Sequence, residues 1–380
     1  VLTGNEALVR ALGASRLRVS HGFVGVPLHR FVDGMAARPP AGLSHHPSSS
    51  DLRAAGLALG GALLTGAGTC LVLRAGGVNV ALEALATLGL LNELSAPTII
   101  IAGVDPGPAS AATAQDDRST LAHVCHLPQL DPGSPAELYH YTRLAVQASR
   151  RGGLPVVVRV GSRALDATGP VQETPADAAP DAVPLAFSRA GGPYLISSST
   201  YRYHVDKRAR RLAQLEGLAT ALCVRTGEGA PAGVVLAGHL GTRTQAKIAA
   251  RRIPTLRLGT AWPLPRALLE NFLADKREVL VLEEGEAFIE HALQAMAHRA
   301  GIACRVRGLD DRRPQRLDED RLENAMRRMG AIVDDPSPVD RDSSAYVVAA
   351  ESIGTLAPID IEPWPLYLAR TRKKLWGFSS

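Results

Sequence analysis

The sequence predicts an α/β protein, with mostly parallel sheets covered by helices on both faces. Three observations lead there. Short apolar runs alternate with amphipathic stretches from the first residues onward. The runs Thr98 to Ala102 and Pro155 to Val160 are rich in β-branched residues, as strands are. A stretch from Asp166 to Pro184, rich in Pro, Ala, Asp, Thr and Gly, has the composition of a linker, and a second alternating unit begins beyond it. Alternation of strand and helix implies parallel strands joined by helical crossovers.

In chain order, Asn5 to Leu12 reads as a helix and Leu17 to Val19 as a strand. Gly22-Phe23-Val24-Gly25-Val26-Pro27 reads as a turn at that strand's carboxyl end. A helix follows over Asp51 to Thr65, with Ser48, Ser49 and Ser50 available as N-caps. Thr69 to Leu73 is a strand, followed by a glycine turn and a helix from Val78 to Leu91. Beyond the linker a basic helix spans about Val205 to Leu222. The second unit then runs as strand Gly233 to Ala237, helix Thr242 to Ala250, strand Thr255 to Leu258 and helix Pro265 to Leu273. Strand Glu278 to Leu282, helix Ala287 to Ala300 and strand Ile302 to Val306 complete it. Beyond Gly308 the chain is charged, then rich in Pro and Asp, with Trp364, Tyr367 and Trp376 near the end. Aromatics so near a terminus suit docking on the body or on a partner.

At 380 residues and 46% hydrophobic content, the chain can bury one or two full cores. The most apolar stretch, Leu57 to Leu73, is interrupted by Gly60, Gly61, Gly66 and Gly68, and no apolar run reaches the roughly 18 residues of a membrane span. The chain starts at Val1 and shows no signal-peptide pattern there. A soluble cytoplasmic protein is expected, with no membrane association. The formal charge of +5 comes from scattered Arg, and with 4% aromatics it makes no nucleic-acid surface. Two basic clusters, Lys207 to Arg211 and Arg370 to Lys374, read as solvated helix faces or partner contacts. The cysteines Cys70, Cys125, Cys223 and Cys304 are far apart and form no CxxC pair, so they read as small buried hydrophobes rather than ligands of zinc or an iron–sulfur cluster.

Several segments, in order, resemble the alpha subunit of indolepyruvate:ferredoxin oxidoreductase, within the 2-oxoacid:ferredoxin oxidoreductase superfamily. Leu2-Thr3-Gly4-Asn5-Glu6-Ala7 is similar to that family's opening, and Gly22 to Pro27 to its "GYPGTP" turn. Gly76-Gly77-Val78-Asn79-Val80-Ala81 resembles "VGLNVA". Val104 to Gly107 with Gln115-Asp116-Asp117-Arg118 resembles "DDPG…QDSR". Gly259 to Pro265 resembles "GFTYPLP", and Val281 to Glu290 resembles "VVEELEPFIE".

The resemblance implies a pyrimidine-type thiamine-enzyme domain over 1–170 and a linker with the basic helix over 171–228. A transketolase-C-like α/β domain would follow over 229–308, and a C-terminal extension over 309–380. It also implies one component of a thiamine-diphosphate-dependent 2-oxoacid enzyme, acting on an aryl- or alkyl-2-oxoacid. The "GDG" and "CPGC" signatures of the diphosphate-binding domain do not occur in the sequence. A second subunit is therefore expected to carry that domain and its Mg, in a homo- or hetero-oligomer, with no iron–sulfur cluster on this chain. Oxidative decarboxylation, non-oxidative decarboxylation or carboligation, and a catalytically degenerate assembly subunit all remain open.

The site residues follow from the resemblance. In most thiamine enzymes a Glu of the pyrimidine-type domain bonds the cofactor's ring nitrogen, and a partly desolvated carboxyl suits that role. Counting back without gaps from Gly66-Ala67 puts the position at Leu52, with Asp51 beside it. Asp51 is either that carboxyl, with the helix start shifted by one residue, or a helix cap or dipole partner. Gly25 and Val26 lie in the substrate turn, where Val26 replaces a Thr and cannot donate a hydrogen bond. Arg118 either pairs with a carboxylate or forms a surface salt bridge with Asp116 or Asp117. Asn79 is either a ligand-side residue or an N-cap. His45-His46 and the set His123, Cys125 and His126 raise a metal site. In the second set a strand-like run would put His123 and Cys125 on one face and His126 on the other, so core or interface histidines fit better and no metal is assigned. Gly238 to Gly241 fits the transketolase-C-like pattern without a ligand, and Glu283-Glu284 suits a domain interface.

Overall fold

The computed structural model describes residues 1–91, 96–105, 116–178, 198–238 and 253–309, with the single positions 248, 322, 324 and 325. The expected helix Thr242 to Ala250, the loop His239 to Gly241 and the basic cluster near the C-terminus lie outside the described residues, apart from the single position Ile248.

Two parallel-dominated sheets form the body. The first comprises β2 (Val19–Gly22), β3 (Ser44–Pro47), β4 (Thr69–Leu73), β5 (Thr98–Val104), β6 (Gln129–Leu130), β7 (Val156–Gly161) and β12 (Thr260–Trp262), in the order β12-β6-β7-β5-β4-β2-β3. Its strands are parallel except β12, which runs antiparallel to β6. One face is covered by α1 (Gly4–Ala14), α2 (His29–Ala37) and α6 (Pro135–Gly152), whose Leu8, Phe31 and Leu144 share a core with Val72, Ile99 and Val158. The other face carries α3 (Asp51–Thr65), α4 (Gly77–Val80) and α5 (Leu82–Leu91), packed through Ala54, Val78 and Leu85 on Leu71, Ile100 and Val157. The short α7 (Ser162–Asp166) follows β7 and adds Ala164 and Leu165 to the first of these cores. Successive residues of a central strand feed opposite cores, which is why β4, β5 and β7 are largely apolar while the edge strand β3 is polar.

The second sheet has the order β14-β13-β10-β11-β9, from β9 (Val224–Thr226), β10 (Ala232–Leu236), β11 (Thr255–Arg257), β13 (Glu278–Leu282) and β14 (Arg305–Arg307). Only β9 is antiparallel. Helices α9 (Arg266–Ala274) and α10 (Phe288–Ala300) cover one face through Leu269, Phe272 and Leu293. A small ribbon pairs β1 (Leu2–Thr3) with β8 (Thr168–Gly169).

Several boundaries differ from the sequence expectation, each for a physical reason. The first parallel strand begins at Val19 rather than Leu17, because Leu17 packs into the core beneath the strand while Ser20 and His21 are buried within it. Helix α2 and strand β3 were not expected at all. The helix expected over Val78 to Leu91 breaks at Ala81 into α4 and α5. The run around His123 is not a strand but one wide turn of π-helix, Thr120–Val124, so the face argument for His123, Cys125 and His126 does not hold. The last strand starts at Arg305, not Ile302, because the Ile302 N–H closes the end of α10 on the Ala297 carbonyl after left-handed Gly301.

The linker reading also needs correction. Residues 170–178 form a strap on the first domain. Glu173 pairs with Arg10, Thr174 accepts from Arg143, and Asp177 pairs with Arg143 and Arg150. The basic helix is longer than expected: α8 (Ser198–Ala221) places Leu215 and Leu218 in the first domain's core. Lys207 and Arg211, read as a solvated helix face or a partner contact, lie on its buried stripe with Tyr203 and His204. Cys223 and Cys304 are half-buried, whereas Cys70 and Cys125 are core residues.

Candidate functional site

In the first sheet, β2 leads through α2 on one face to β3, whereas β4 leads through α4 and α5 on the other face to β5. The crossovers therefore diverge between the neighbours β2 and β4. A crevice opens outside the carboxyl ends of strands at such a switch point, and ligands bind there in open parallel sheets. Three segments meet at this one: the turn 22–27 after β2, the start of α3, and residues 74–77 after β4.

Ser50 caps α3, its hydroxyl accepting from the Arg53 N–H, so Asp51 is released from the capping role assigned to it as one alternative. The Asp51 side chain turns inward and is 1% exposed, while Leu52, the position reached by ungapped counting, is 50% exposed. Asp51 Oδ1 accepts from the Arg74 backbone N–H at 3.4 Å. Arg74 Nε stands 3.0 Å from Oδ2, but its N–H is not aimed at that oxygen, leaving an ion pair without a hydrogen bond. A methyl group on Gly77 would overlap the same carboxylate. Burial pushes the Asp51 carboxyl above its ordinary value, and Arg74 opposes that rise.

Gly25 packs flat on Arg74, where an added Cβ would stand 2.5 Å from Arg74 Cδ, and the Arg74 guanidinium lies over the Phe23 ring at 5.6 Å. Val26 is 44% exposed, and its carbonyl accepts from the Ala75 N–H. The structure thus brings Gly25 and Asp51 together through Arg74, with Val26 in the same turn. Arg74 escaped notice in the sequence, although a lone Arg closing an apolar strand just before a glycine turn was a signal, and Gly77 was noted as part of a motif without a site role.

Asn79 is not an N-cap: α4 begins at Gly77 after left-handed Gly76, and Asn79 is its exposed third residue. Arg118 forms the ion pair with Asp116 that one alternative expected, but buried rather than on the surface. It is buried, with Nε held by Asp116, Nη1 donating to Glu283 at 2.6 Å, and Nη2 donating to Asp116 and to the carbonyls of Glu284 and Glu286. Glu283 also accepts from the N–H groups of Ile289 and Glu290 at the start of α10, and Glu284 pairs with Arg163. Arg118 therefore ties the first domain to the second. His45 Nδ1 lies 3.1 Å from the Ser20 hydroxyl, and His46 stacks on His21. Among the described residues no group of three or more His, Cys, Asp or Glu side chains is arranged to hold a metal. Nor is any helix among them long and apolar enough to cross a membrane.

The chain is thus built of two parallel-dominated α/β units, the first with a buried carboxylate at its switch point. A solved 2-oxoglutarate:ferredoxin oxidoreductase from Magnetococcus marinus, with 2-oxoglutarate, coenzyme A and succinyl-CoA bound, shares this fold. The match has a TM-score of 0.67 at 16% identity and covers 87% of this chain and 65% of that one. In sequence the chain is similar to curated proteins named indolepyruvate oxidoreductase subunit IorA, which bears out the resemblance carried by its motifs. The subunit of Methanothermobacter thermautotrophicus is 27% identical over 338 residues, covering 86% of this chain and 53% of the relative. Those of Archaeoglobus fulgidus and Pyrococcus abyssi are each 25% identical and are covered over 48% and 49% of their lengths. The chain spans about half the length of the curated relatives it matches. No protein-family profile matches it.

Proposed function

We propose that this chain supplies the wall facing the pyrimidine ring in a heteromeric, thiamine-diphosphate-dependent 2-oxoacid oxidoreductase, with a second polypeptide holding the diphosphate and its Mg. The observation that carries this reading is Asp51: a buried carboxylate with a raised pKa, at the switch point of a parallel sheet, keeping one oxygen without an aligned hydrogen bond. Such an oxygen fits a ring nitrogen, because a carboxyl whose pKa approaches that of the ring can share a proton with it. Bound there, thiamine diphosphate would supply the electron sink for decarboxylating an aryl- or alkyl-2-oxoacid. Asp51 would hold or accept the proton at Oδ2, and Gly77 would let the carboxylate lie close to the chain. Val26 would give the substrate apolar contact in place of a hydroxyl hydrogen bond.

The surface around the site supports a partner. Val24, Val26 and Leu52 are exposed large hydrophobics on the segments that meet at Asp51, with Leu57 and Val80 exposed farther along α3 and α4, and exposed apolar side chains there suit coverage by another protein.

Reconstitution tests the proposal. Mixed with a GDG-containing protein encoded beside it, the chain is expected to give 2-oxoacid decarboxylation that depends on an added electron acceptor. Turnover independent of the acceptor would move the assignment to non-oxidative decarboxylation or carboligation. Unchanged turnover in Asp51→Asn would leave the chain an assembly subunit. Tight binding of thiamine diphosphate and Mg by the chain alone would overturn the division between two polypeptides.

A further inference from the structure

We propose that Arg74 is the positioning residue of this site, aiming and charging the Asp51 carboxylate while leaving one of its oxygens open. The inference rests on the reading of Asp51 as the ring-facing carboxyl and adds the group that sets its state. Arg74 touches every segment of the crevice. Its backbone N–H holds Asp51 Oδ1, its Nε faces Oδ2 at 3.0 Å, and its Nη1 donates to the Ala75 carbonyl at 3.3 Å. Its aliphatic stem fills the space above Gly25, and its guanidinium lies over Phe23. The stem against Gly25 and the guanidinium over the Phe23 ring restrict where the charge can sit relative to Oδ2.

The arrangement separates two tasks that one hydrogen bond would merge. The charge opposes the effect of burial on Asp51, while the misaligned Nε–H leaves the Oδ2 lone pair free for another donor. Of the elements packed on Asp51, α4 brings Gly77 and the turn after β2 brings Phe23 and Gly25. Among the described residues, Arg74 is the charged side chain acting on the carboxyl. A lysine would supply a charge but not the guanidinium over Phe23 or its Nε beside Oδ2.

The test follows Asp51 itself in the full chain, without cofactor, by carboxyl-carbon NMR titration, with Asp51→Asn assigning the resonance. Arg74→Met is expected to raise the Asp51 midpoint by about one unit or more, the effect of losing an opposite charge at this range. Arg74→Lys keeps the charge and guards against loss of folding; its midpoint is expected near wild type. In the reconstituted complex, Arg74→Lys is expected to lower kcat roughly tenfold or more through lost aim. In Arg74→Met the acid limb of the kcat/KM profile is expected to move up with the midpoint. An unmoved midpoint in a folded Arg74→Met chain, or full kcat in Arg74→Lys, overturns the positioning role. A shifted midpoint together with full activity in Asp51→Asn would keep Arg74's hold on Asp51 and refute the ring-facing reading instead.

Discussion

Arg257, on β11 of the second sheet, grips Glu137 in the first turn of α6 with both terminal nitrogens, at 2.7 and 2.6 Å. Both side chains are buried, and Glu137 also accepts from the Gly133 N–H. A fork-to-fork pair fixes direction as well as distance, so it sets the second domain's orientation on the first. The Arg118 cluster and β12, which leaves the second unit to pair with β6, secure the same junction. The site segments therefore sit on a body whose two units are joined, among the described residues, by these contacts together with the Arg163–Glu284 ion pair.

Removing one partner of the Arg257–Glu137 pair strands the other, buried, at the junction. Arg257→Met is expected to cost about 3–5 kcal/mol, the usual penalty for an uncompensated buried charge. The double variant Arg257→Met with Glu137→Leu is expected to recover most of it. Urea unfolding of the four-member cycle measures this, and additive losses would show that the pair is not coupled.

Arg118→Lys looks conservative but is expected to be costly. One ammonium cannot serve Asp116, Glu283 and the carbonyls of Glu284 and Glu286 together, because their geometry needs a planar fork. A loss of roughly 2–4 kcal/mol is expected, by the same logic of stranded buried charge. Limited proteolysis at the junction should accelerate in the variant, and a wild-type cleavage pattern would count against the clamp.

Two neighbouring carboxylates in that cluster are expected to give opposite pH effects. Burial raises Asp117 to about 6, helped by repulsion from Asp116 and only partly countered by Arg159. Burial also opposes ionisation of Asp116, but Arg118 and Arg159 win and hold it at about 2. Folded Asp117 keeps a proton that the unfolded chain gives up, so its contribution weakens stability as pH rises from about 4 through 6. Asp117→Asn is expected to add about 1–3 kcal/mol at pH 7.5 and little at pH 3.5. Asp116 stabilises above the ordinary aspartate range and loses that contribution as pH falls toward 2, so Asp116→Asn is expected to destabilise at neutral pH. Melting temperatures of both variants at two pH values settle the signs.

Much of this fold was legible because its local signals agree. Helix α3 runs over the expected Asp51–Thr65, bounded by a serine cap and left-handed Gly66, and β4 and β13 match their apolar runs end to end. The failures share a cause. The strap over 170–178 has a linker's composition because its anchors, Arg10, Tyr139 and Arg143, lie far off in sequence. Lys207 and Arg211 read as a solvated helix face or a partner contact because charge conceals a buried stripe that only the packing of α8 defines. At the proposed site, the motifs fell on a turn and a helix start that the structure brings together around Arg74. Counting landed on Leu52 rather than Asp51, since one residue on a helix turns a side chain by about 100° and only packing decides which of two neighbours faces in.

Gly76 and Gly77 are adjacent, yet their alanine variants are expected to fail differently. Gly76 has a positive φ of 77°, a conformation that strains any side chain, so Gly76→Ala is expected to cost about 1 kcal/mol or more in folding. Gly77 opens α4, where alanine is a good helix former, so its backbone accepts the change. The added methyl instead overlaps the Asp51 carboxylate, which is buried and has little room to retreat. Gly77→Ala should therefore melt within a few degrees of wild type while the reconstituted complex loses roughly a hundredfold in turnover, the scale of an ångström's misplacement at a reacting group. Thermal melts and 2-oxoacid turnover on the same preparations separate the two. If Gly77→Ala keeps full turnover with the Asp51 carboxyl resonance displaced, that carboxylate does not face the reacting ring.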